Sequence, residues 1–478
     1  MIGIILNDNA YQQDIRELLM AFYPGESFVY EEQEGQLFCV RGSVSPERTQ
    51  FYLEIDPGYA GEPIAVTYDD RFTTKNQIKR KLYRYLKAMT GRELPWGTLT
   101  GIRPTKIAMT KLEEGKDAEE IYSHMKETYF TGDDKIRLSI DIAEREMELI
   151  KAIDSRNGYS LYIGIPFCPT TCLYCSFTSY PISRWEGKTG LYLTALFNEM
   201  EYVAEKQQGR SPDTVYLGGG TPTSLTAGDL DLLLTKLKAT FDCTKTLEFT
   251  VEAGRPDSIT REKLQVLKKH GVTRISINPQ TMKQETLDLI GRRHTVEMVR
   301  ECFFLARELG FDNINMDLII GLPEESPADV EATLEAVREL SPDSLTVHSL
   351  AIKRAARLNT MKEVYKDLVI NNTQEMVDLT ARYARQMGME PYYLYRQKNM
   401  AGNFENVGYA LPGKACIYNI LIMEEKQTIM ACGAGTTTKI LYPDENRLER
   451  VENVKDVEQY INRIEEMKLR KEALVSKS

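Results

Sequence analysis

The sequence predicts an α/β fold in which a parallel sheet is curled into a partial (β/α)6 barrel. In the middle of the chain, six short runs rich in β-branched residues alternate with amphipathic stretches of helical length. Cysteines, glycines and acidic residues recur directly after those runs, where the carboxyl ends of barrel strands would meet. An α+β domain is predicted before the barrel and an extension after it.

The six runs have the length, the residue types and the flanking turns of buried strands. They are Leu161–Ile165, Thr214–Leu217, Leu247–Glu252, Arg274–Asn278, Ile314–Ile319 and Ser344–Ser349. The stretches between them carry apolar residues at helical spacing. They are Leu191–Glu205, Asp229–Thr240, Thr260–His270, Glu297–Leu309 and Ala328–Leu340. Terminal residues support these helices, because Ser326-Pro327 is a typical start and Lys268-Lys-His-Gly271 a typical end.

Three regions are predicted along the chain. Residues 1–150 mix strand-like pieces with a basic helix, Lys75–Met89, and predict an α+β domain whose role the sequence leaves open. The strand-like pieces are Leu37–Val40, Phe51–Ile55 and Ile64–Tyr68. Residues 155–355 form the predicted barrel, and residues 356–478 form a C-terminal region that is a candidate cover for a substrate.

The composition predicts a cytoplasmic globular enzyme. The chain has 478 residues, more than a usual single domain. Its net charge of −10 argues against broad nucleic-acid binding, and it has no run of about 18 apolar residues to form a membrane span. The apolar run Met1–Leu6 is too short for a secretion signal. We therefore expect neither nucleic acid nor a membrane among its partners.

Three thiols lie within eight residues, at Cys168, Cys172 and Cys175. Structural zinc needs four ligands, usually in pairs of cysteines, and the four histidines of the chain are scattered. A disulfide needs an oxidising compartment, and buried structural thiols would not explain the Pro and Thr residues around them. The spacing favours a [4Fe-4S] cluster, whose fourth iron would stay open for another ligand.

Other unusual residues follow the predicted strands at the same rim. Gly218–Gly220 lacks the Gly-Lys-Ser/Thr of a phosphate loop, but its backbone N–H and C=O groups are open to a ligand; a plain turn is the alternative. Glu252 and Asp317 are acidic residues in apolar strands, where an unpaired charge is costly, so they are candidate ligand contacts. Gln280 lies just past the fourth strand.

These motifs together resemble a radical S-adenosylmethionine (SAM) enzyme. The cysteine spacing, the Gly-Gly-Thr-Pro sequence from Gly219, and the acidic residues Glu252 and Asp317 carry the resemblance. More narrowly, four segments resemble the oxygen-independent coproporphyrinogen III dehydrogenase family. They are Tyr162–Cys168, Arg274–Gln280, Ile290–Arg292 and Asn315–Pro323. The resemblance runs from about residue 160 to residue 353 and, more weakly, through Cys432–Gly435.

The resemblance implies ligands position by position, and it implies no catalytic residue. The cluster ligands are Cys168, Cys172 and Cys175. The contacts of a first SAM are Tyr162, Tyr174, Gly219 and Glu252. Members of the family can hold a second SAM, for which the matching residues are Gly220, Thr221, Gln280, Arg292, Asp317 and Ala351. Alternatives stay open for four of these residues. Both tyrosines could be packing residues, Arg292 could be a solvated surface charge, and Gln280 could cap the following helix.

The implied function is an oxidoreductase of heme and porphyrin biosynthesis. Such an enzyme decarboxylates two propionates of coproporphyrinogen III to vinyl groups, gives protoporphyrinogen IX without oxygen, and takes electrons from a donor such as flavodoxin or ferredoxin. The family typically has His where Gly164 stands and a fourth cysteine where Phe177 stands. Because Cys-x-Phe also occurs in relatives that deliver heme, a heme chaperone is one alternative. A radical SAM tetrapyrrole methyltransferase is another.

The tract Pro391–Asn406 is dense in aromatic and polar residues, which would suit the face of a tetrapyrrole. Four basic residues are candidates to pair with propionates. They are Arg396, Lys398, Lys353 and Arg354. An ordinary packed segment with solvated charges is the alternative.

Overall fold

A computed structural model of the chain describes residues 1–56, 64–154, 156–207, 210–351, 356–361, 363–365, 367–397, 404–445 and 447–475. The chain divides into two compact units. The first contains residues 1–144 and 395–405, and the second contains residues 145–394 and 406–478. No helix in the described ranges is both long enough and apolar enough to span a membrane.

The first unit combines a five-stranded sheet with helices. The strands are β1 (Ile2–Leu6), β2 (Phe28–Val29), β3 (Phe38–Val44), β4 (Gln50–Asp56) and β5 (Ile64–Thr67), and the helices are α1 (Gln12–Phe22), α2 (Arg71–Thr90), α3 (Thr105–Glu113), α4 (Ala118–Tyr129) and α5 (Asp133–Leu149). The sheet order is β2-β1-β3-β4-β5, and β1 is parallel to both of its neighbours. Alternate residues of β4 are buried, which packs one face of the sheet into an apolar core with α1 and α2.

The second unit is built on an eleven-stranded sheet. Its strands, with the short pair β7 and β8, are β6 (Tyr159–Ile165), β7 (Phe167–Cys168), β8 (Tyr180–Pro181), β9 (Pro212–Gly219), β10 (Glu248–Gly254), β11 (Arg274–Ile277), β12 (Ile314–Ile320), β13 (Ser344–Ser349), β14 (Glu390–Tyr395), β15 (Asn406–Ala410), β16 (Thr428–Cys432), β17 (Thr437–Tyr442) and β18 (Arg447–Glu452). The sheet order is β14-β15-β13-β12-β11-β10-β9-β6-β16-β17-β18. The six predicted strands are confirmed as β6 and β9 to β13, and they are parallel.

Helices connect the parallel strands, as the predicted βα units require. The helices of this unit are α6 (Thr189–Lys206), α7 (Ala227–Thr240), α8 (Arg261–Lys269), α9 (Gln284–Leu289), α10 (Val296–Glu308), α11 (Pro327–Leu340), α12 (Arg357–Thr360), α13 (Gln374–Gln386), α14 (Ile417–Glu424), α15 (Val457–Asn462) and α16 (Ile464–Val475). Ser326 and Asp329 cap α11 reciprocally, with Pro327 at its first position, as predicted.

The C-terminal region extends this sheet at both edges. Strand β15 pairs antiparallel with β13, while β16 pairs in parallel with β6, so the loop Cys432–Gly435 reaches the same rim as the cysteine loop. Strands β17 and β18 continue antiparallel from β16. Residues 356–478, predicted as a region following the barrel, therefore contribute strands to the barrel sheet itself.

A buried ion pair fixes the end of the chain to this sheet. Lys471 on α16 lies 2.5 Å from the Glu199 carboxylate on α6, and both side chains are almost fully buried. Tyr460, Asn453 and the backbone N–H of Gly433 also donate hydrogen bonds to Glu199. Because Gly433 follows β16, this network holds the rim loop as well as the terminal helix.

Candidate functional site

Strand pairing and hydrogen bonds hold the cysteine loop in place at both ends and in its middle. It leaves β6, returns through the pairing of β7 with β8, and is crossed by a hydrogen bond from the Leu173 N–H to the Ile290 carbonyl, 2.9 Å. Thr170 Oγ1 donates to the Gly291 carbonyl at 3.0 Å. The Cys175 N–H donates to the Cys172 carbonyl, so the last two cysteines share a tight turn. The Pro- and Thr-rich loop is therefore ordered.

The three thiols of the loop lie in largely buried surroundings. Burial raises the pKa of Cys168 to about 11 and raises that of Cys175, with a smaller contribution from the neighbouring thiols. Nowhere in the described ranges do three His, Cys, Asp or Glu side chains converge on a single metal ion. A [4Fe-4S] cluster has no such requirement, because each cysteine binds a different iron. Its binding would also offset the cost of burying thiolates.

Two buried guanidinium groups face the middle thiol. Arg255 Nη1 lies 3.7 Å from Cys172 Sγ, and Arg292 Nη1 lies 3.9 Å from the same atom. Arg255 also donates to the carbonyl and hydroxyl of Thr170 and pairs with Asp257 at 2.6 Å. Cations beside a thiol favour the thiolate that binds iron, so the charges here fit a cluster.

The glycine run at the end of β9 packs against the cysteine loop. A Cβ atom at Gly220 would lie 2.5 Å from the Phe167 carbonyl oxygen and 3.0 Å from Cys168 Sγ. Gly219 has a φ of +110°, and its Cβ would meet the backbone of Ile165. Thr221 Oγ1 lies 3.4 Å from Cys168 Sγ. The predicted glycine contacts are thus beside the first cysteine, and only glycine permits that approach.

Glu252 lies at the end of β10 next to the same glycines. It accepts a hydrogen bond from Tyr216 at 2.6 Å, and a Cβ at Gly218 would lie 3.1 Å from both its carboxyl carbon and the Tyr162 hydroxyl. Burial raises the pKa of Glu252 to about 7. Tyr162, Tyr216 and Tyr418 stack face to face, with 4.4 Å between the last two ring centroids. The aromatic stack therefore contacts Glu252 through the hydroxyl of Tyr216.

A second group of predicted residues lies past β11 and along β12. Gln280 has a φ of +69°, and its backbone is hydrogen-bonded to Asp317 and Ile319. Its side-chain Oε1 is buried and has no hydrogen-bond partner among the residues that the structure describes. Asp317 accepts from Asn315 at 2.7 Å and lies 3.9 Å from His348. Although burial opposes it, these two neighbours hold the pKa of Asp317 below its usual value. Asp317 therefore presents a carboxylate and Gln280 an unused acceptor.

Arg292 and Tyr174 lie on the side of the site that is formed by the cysteine loop. Arg292 is 4% exposed and donates to the Asn278 carbonyl at 2.6 Å and to the Tyr174 hydroxyl at 3.3 Å. The alternative of a solvated Arg292 is wrong, because the side chain lies under the loop. Ala351 lies two residues beyond the end of β13. Most of the predicted ligand positions thus lie in the loops after barrel strands or near the strand ends, whereas Tyr162 and Asp317 lie in the middle of β6 and β12.

Sequence reasoning missed several residues of this rim. Arg255 follows the third strand, and a basic residue at that place was the available signal. The sequence contains no local pattern that would identify Tyr216, Tyr418 or Thr436, because their contacts join segments that are far apart in the chain. A Cβ at Gly164 would lie 2.5 Å from Thr436 Cγ2, so the rim loop after β16 takes the space that the family histidine would need. Phe177 is 71% exposed.

Of the four basic residues proposed for propionates, the structure describes one, Arg396. Arg396 is 4% exposed in the first unit, where it donates to the Leu99 carbonyl at 2.7 Å and packs over Trp96. It is therefore a structural residue of that unit and not an open carboxylate partner. Lys398, Lys353 and Arg354 lie outside the described residues.

Comparisons with known proteins agree with this site. Residues 162–337 match the radical SAM superfamily, which implies a [4Fe-4S] cluster and SAM. The oxygen-independent coproporphyrinogen-III oxidase-like protein HemZ of Bacillus subtilis is 39% identical over 96% of this chain and 94% of its own length. The heme chaperone HemW of Bacillus subtilis is 38% identical, but over 41% of this chain and 51% of its own length. The structure of coproporphyrinogen III oxidase (HemN) from Escherichia coli superposes with a TM-score of 0.54 and 24% identity over 67% of this chain and 73% of that one, and it supports the fold.

Proposed function

Because the chain belongs to the oxygen-independent coproporphyrinogen-III oxidase-like family of radical SAM enzymes, we propose that it decarboxylates two propionates of coproporphyrinogen III to vinyl groups. The observation that carries the proposal is the packing of one glycine run against both the cysteine loop and Glu252. The oxidase-like relative matches 96% of the chain, whereas the heme chaperones of Bacillus subtilis and Escherichia coli match 41% and 60% of it.

The residues present fit the cofactors that this chemistry needs. Cys168, Cys172 and Cys175 would hold the cluster, since an ordered loop and nearby guanidinium groups favour their thiolates. Glu252, which lies beside Gly218, would hold the amino acid part of SAM. The backbone N–H of Gly220, predicted to be open to a ligand, instead donates to the Ile165 carbonyl at 2.7 Å. When bound, the cluster and SAM supply a 5′-deoxyadenosyl radical through one-electron cleavage of the sulfonium C–S bond.

The chain supplies placement and protection for that chemistry. The Tyr162–Tyr216–Tyr418 stack places aromatic rings next to the buried Glu252, and we expect these rings to limit the access of water to its carboxyl group. Gln280 Oε1 and the Asp317 carboxylate are polar acceptors that a second SAM would use. We include that second SAM in the proposal.

The reaction balances for each propionate. The β-carbon of the propionate gives up a hydrogen atom, the carboxylate leaves as carbon dioxide, and one electron passes to a one-electron acceptor. A vinyl group remains. Two such reactions convert coproporphyrinogen III into protoporphyrinogen IX.

Anaerobic turnover with mass analysis tests the proposal. The reconstituted protein is incubated with SAM, dithionite and coproporphyrinogen III, and loss of two carbon dioxide units together with 5′-deoxyadenosine is expected. Cys172→Ala should abolish both products. The matched control Cys243→Ala removes a thiol near the amino end of β10, away from the rim, and should leave both. Formation of deoxyadenosine with an unchanged tetrapyrrole would contradict the substrate but keep the radical enzyme.

Heme delivery is a second candidate, which one observation favours. Phe177, in the Cys-x-Phe sequence, is 71% exposed and offers an aromatic face beside the cluster loop. A delivery protein should bind heme stoichiometrically in an absorption titration, and Phe177→Ala should weaken that binding. Heme binding without any conversion of coproporphyrinogen III would favour this candidate over the oxidase.

A further inference from the structure

A basic cavity of about 890 Å³ lies beside the cysteine loop. The loop contributes Thr170 and Thr171 to its lining, and the lining also contains the buried Arg292 and three further arginines from other segments. They are Arg184, Arg293 and Arg357, and all three are exposed. The cavity is therefore open to a ligand and bordered by positive charge.

The charge at this cavity is not neutralised within the described part of the chain. Arg184, Arg293 and Arg357 have no ion-pair partner among the described residues, whereas most exposed arginines elsewhere in this unit do, as Arg261 and Arg382 illustrate. Asp288 is the single carboxylate in the lining. A local excess of positive charge on a chain of net charge −10 favours an anionic partner at this place.

The cavity is separated from a predicted cluster ligand by a single side chain. Arg292 lines it and at the same time places Nη1 3.9 Å from Cys172 Sγ. Thr170, also in the lining, is bonded to Arg255, which contacts the same sulfur. An electron arriving at this surface would thus have the Arg292 side chain between it and Cys172.

The cavity is lined by one of the predicted SAM contacts and by none of the others. Glu252, Gln280 and Asp317 are absent from its lining, and Arg292 is the only predicted SAM contact in it. The glycine run contacts the cysteine loop at Cys168 and Phe167, which do not line the cavity either.

We propose that this surface docks an acidic one-electron carrier protein, with Arg184, Arg293 and Arg357 facing carboxylates around the redox centre of the carrier. The inference rests on the proposed radical SAM function, which consumes one electron for each SAM cleaved. The carrier is oxidised by one electron, and the electron ends in the broken C–S bond that releases methionine. Charge complementarity of this kind raises association rates and depends strongly on salt.

The test compares two reductants in one assay of 5′-deoxyadenosine formation. Arg184→Glu/Arg293→Glu should lower the rate supported by reduced flavodoxin by about tenfold or more at low salt, since it reverses the steering charges. The rate supported by dithionite should stay unchanged, because a small reductant needs no docking surface. Arg184→Lys/Arg293→Lys keeps the charge and should retain most of the flavodoxin-supported rate.

A matched double variant controls for net charge. Arg210→Glu/Lys245→Glu changes the chain by the same amount at exposed positions before β9 and β10, at the opposite end of the strands, and should behave like the wild type. Equal losses with both reductants, or no loss with flavodoxin, would overturn the docking surface. If the wild type forms no deoxyadenosine with dithionite, the proposed function fails. Flavodoxin binding measured by calorimetry in the same variants then still decides the docking question.

Discussion

Arg255 Nη1 lies 3.7 Å from Cys172 Sγ, so a buried cation donates to the middle thiol of the cysteine loop. The same side chain is bonded to Thr170 and paired with Asp257, which leaves it little freedom to move. A fixed donor to a thiolate lowers the electron density at that sulfur and stabilises the reduced, more negative state of a cluster.

Arg255→Met should make the reduction potential of the reconstituted cluster more negative. We expect a shift on the order of 60 mV, equivalent to about 1.4 kcal/mol for one electron. The measurement is a redox titration followed by electron paramagnetic resonance of the reduced protein. Arg255→Lys retains the charge and should shift the potential less. An unchanged potential in Arg255→Met would show that the contact serves the loop alone.

Gly164→Ala should destabilise the protein, because its Cβ would lie 2.5 Å from Thr436 Cγ2. Overpacking of this kind costs about 1–3 kcal/mol of the free energy of unfolding. Thr436→Ser removes the clashing methyl group and keeps the hydroxyl that donates to the Gly433 carbonyl. The double variant should therefore recover at least about 1 kcal/mol in denaturant unfolding, as coupled neighbours do. Additive losses would contradict the steric explanation for the missing family histidine.

The parallel strands could be predicted because each is a β-branched run bounded by turn residues, and the cap at Ser326 is likewise local. Strand β1, Ile2–Leu6, is equally apolar, but its pairing with β3 depends on residues far along the chain. Strand β16 was missed for the same reason, since it joins β6 in parallel.

The candidate site divides in a similar way. The cysteine spacing and the glycine run can be read directly, whereas the contact of Arg255 with Cys172 spans 83 residues and appears only when the strands are placed side by side. The burial of Arg292 under the loop could not be inferred from a turn containing two arginines. Tertiary packing, not local propensity, decides such positions.

Lys471→Met should destabilise the second unit strongly. It would leave the Glu199 carboxylate buried without its cation, which costs about 3–5 kcal/mol. Adding Glu199→Gln removes the unpaired buried charge and should restore part of the lost free energy of unfolding. Chemical unfolding measures both variants. A loss of less than about 1 kcal/mol in Lys471→Met would show that the terminal helix contributes little to holding the rim loop.

SAM affinity should depend on pH through Glu252, whose pKa burial raises to about 7. Between about pH 4.3 and pH 7, Glu252 is therefore protonated in the ligand-free folded protein but ionised in the unfolded chain. The free energy of unfolding consequently decreases as the pH rises through this range. The cationic groups of SAM favour the carboxylate instead. Affinity should then be full above pH 7 and fall by up to about tenfold for each pH unit below it.

Equilibrium dialysis of the reconstituted protein with SAM between pH 5.5 and 8 measures this dependence. Glu252→Gln should bind more weakly and lose the slope, because no proton is exchanged at an amide. Asp213→Asn is the matched control, since burial also raises the pKa of Asp213, but the residue lies at the amino end of β9. That variant should keep the slope of the wild type. A slope that survives in Glu252→Gln would mean that another group carries the proton, and Glu252 would then have no direct part in SAM binding.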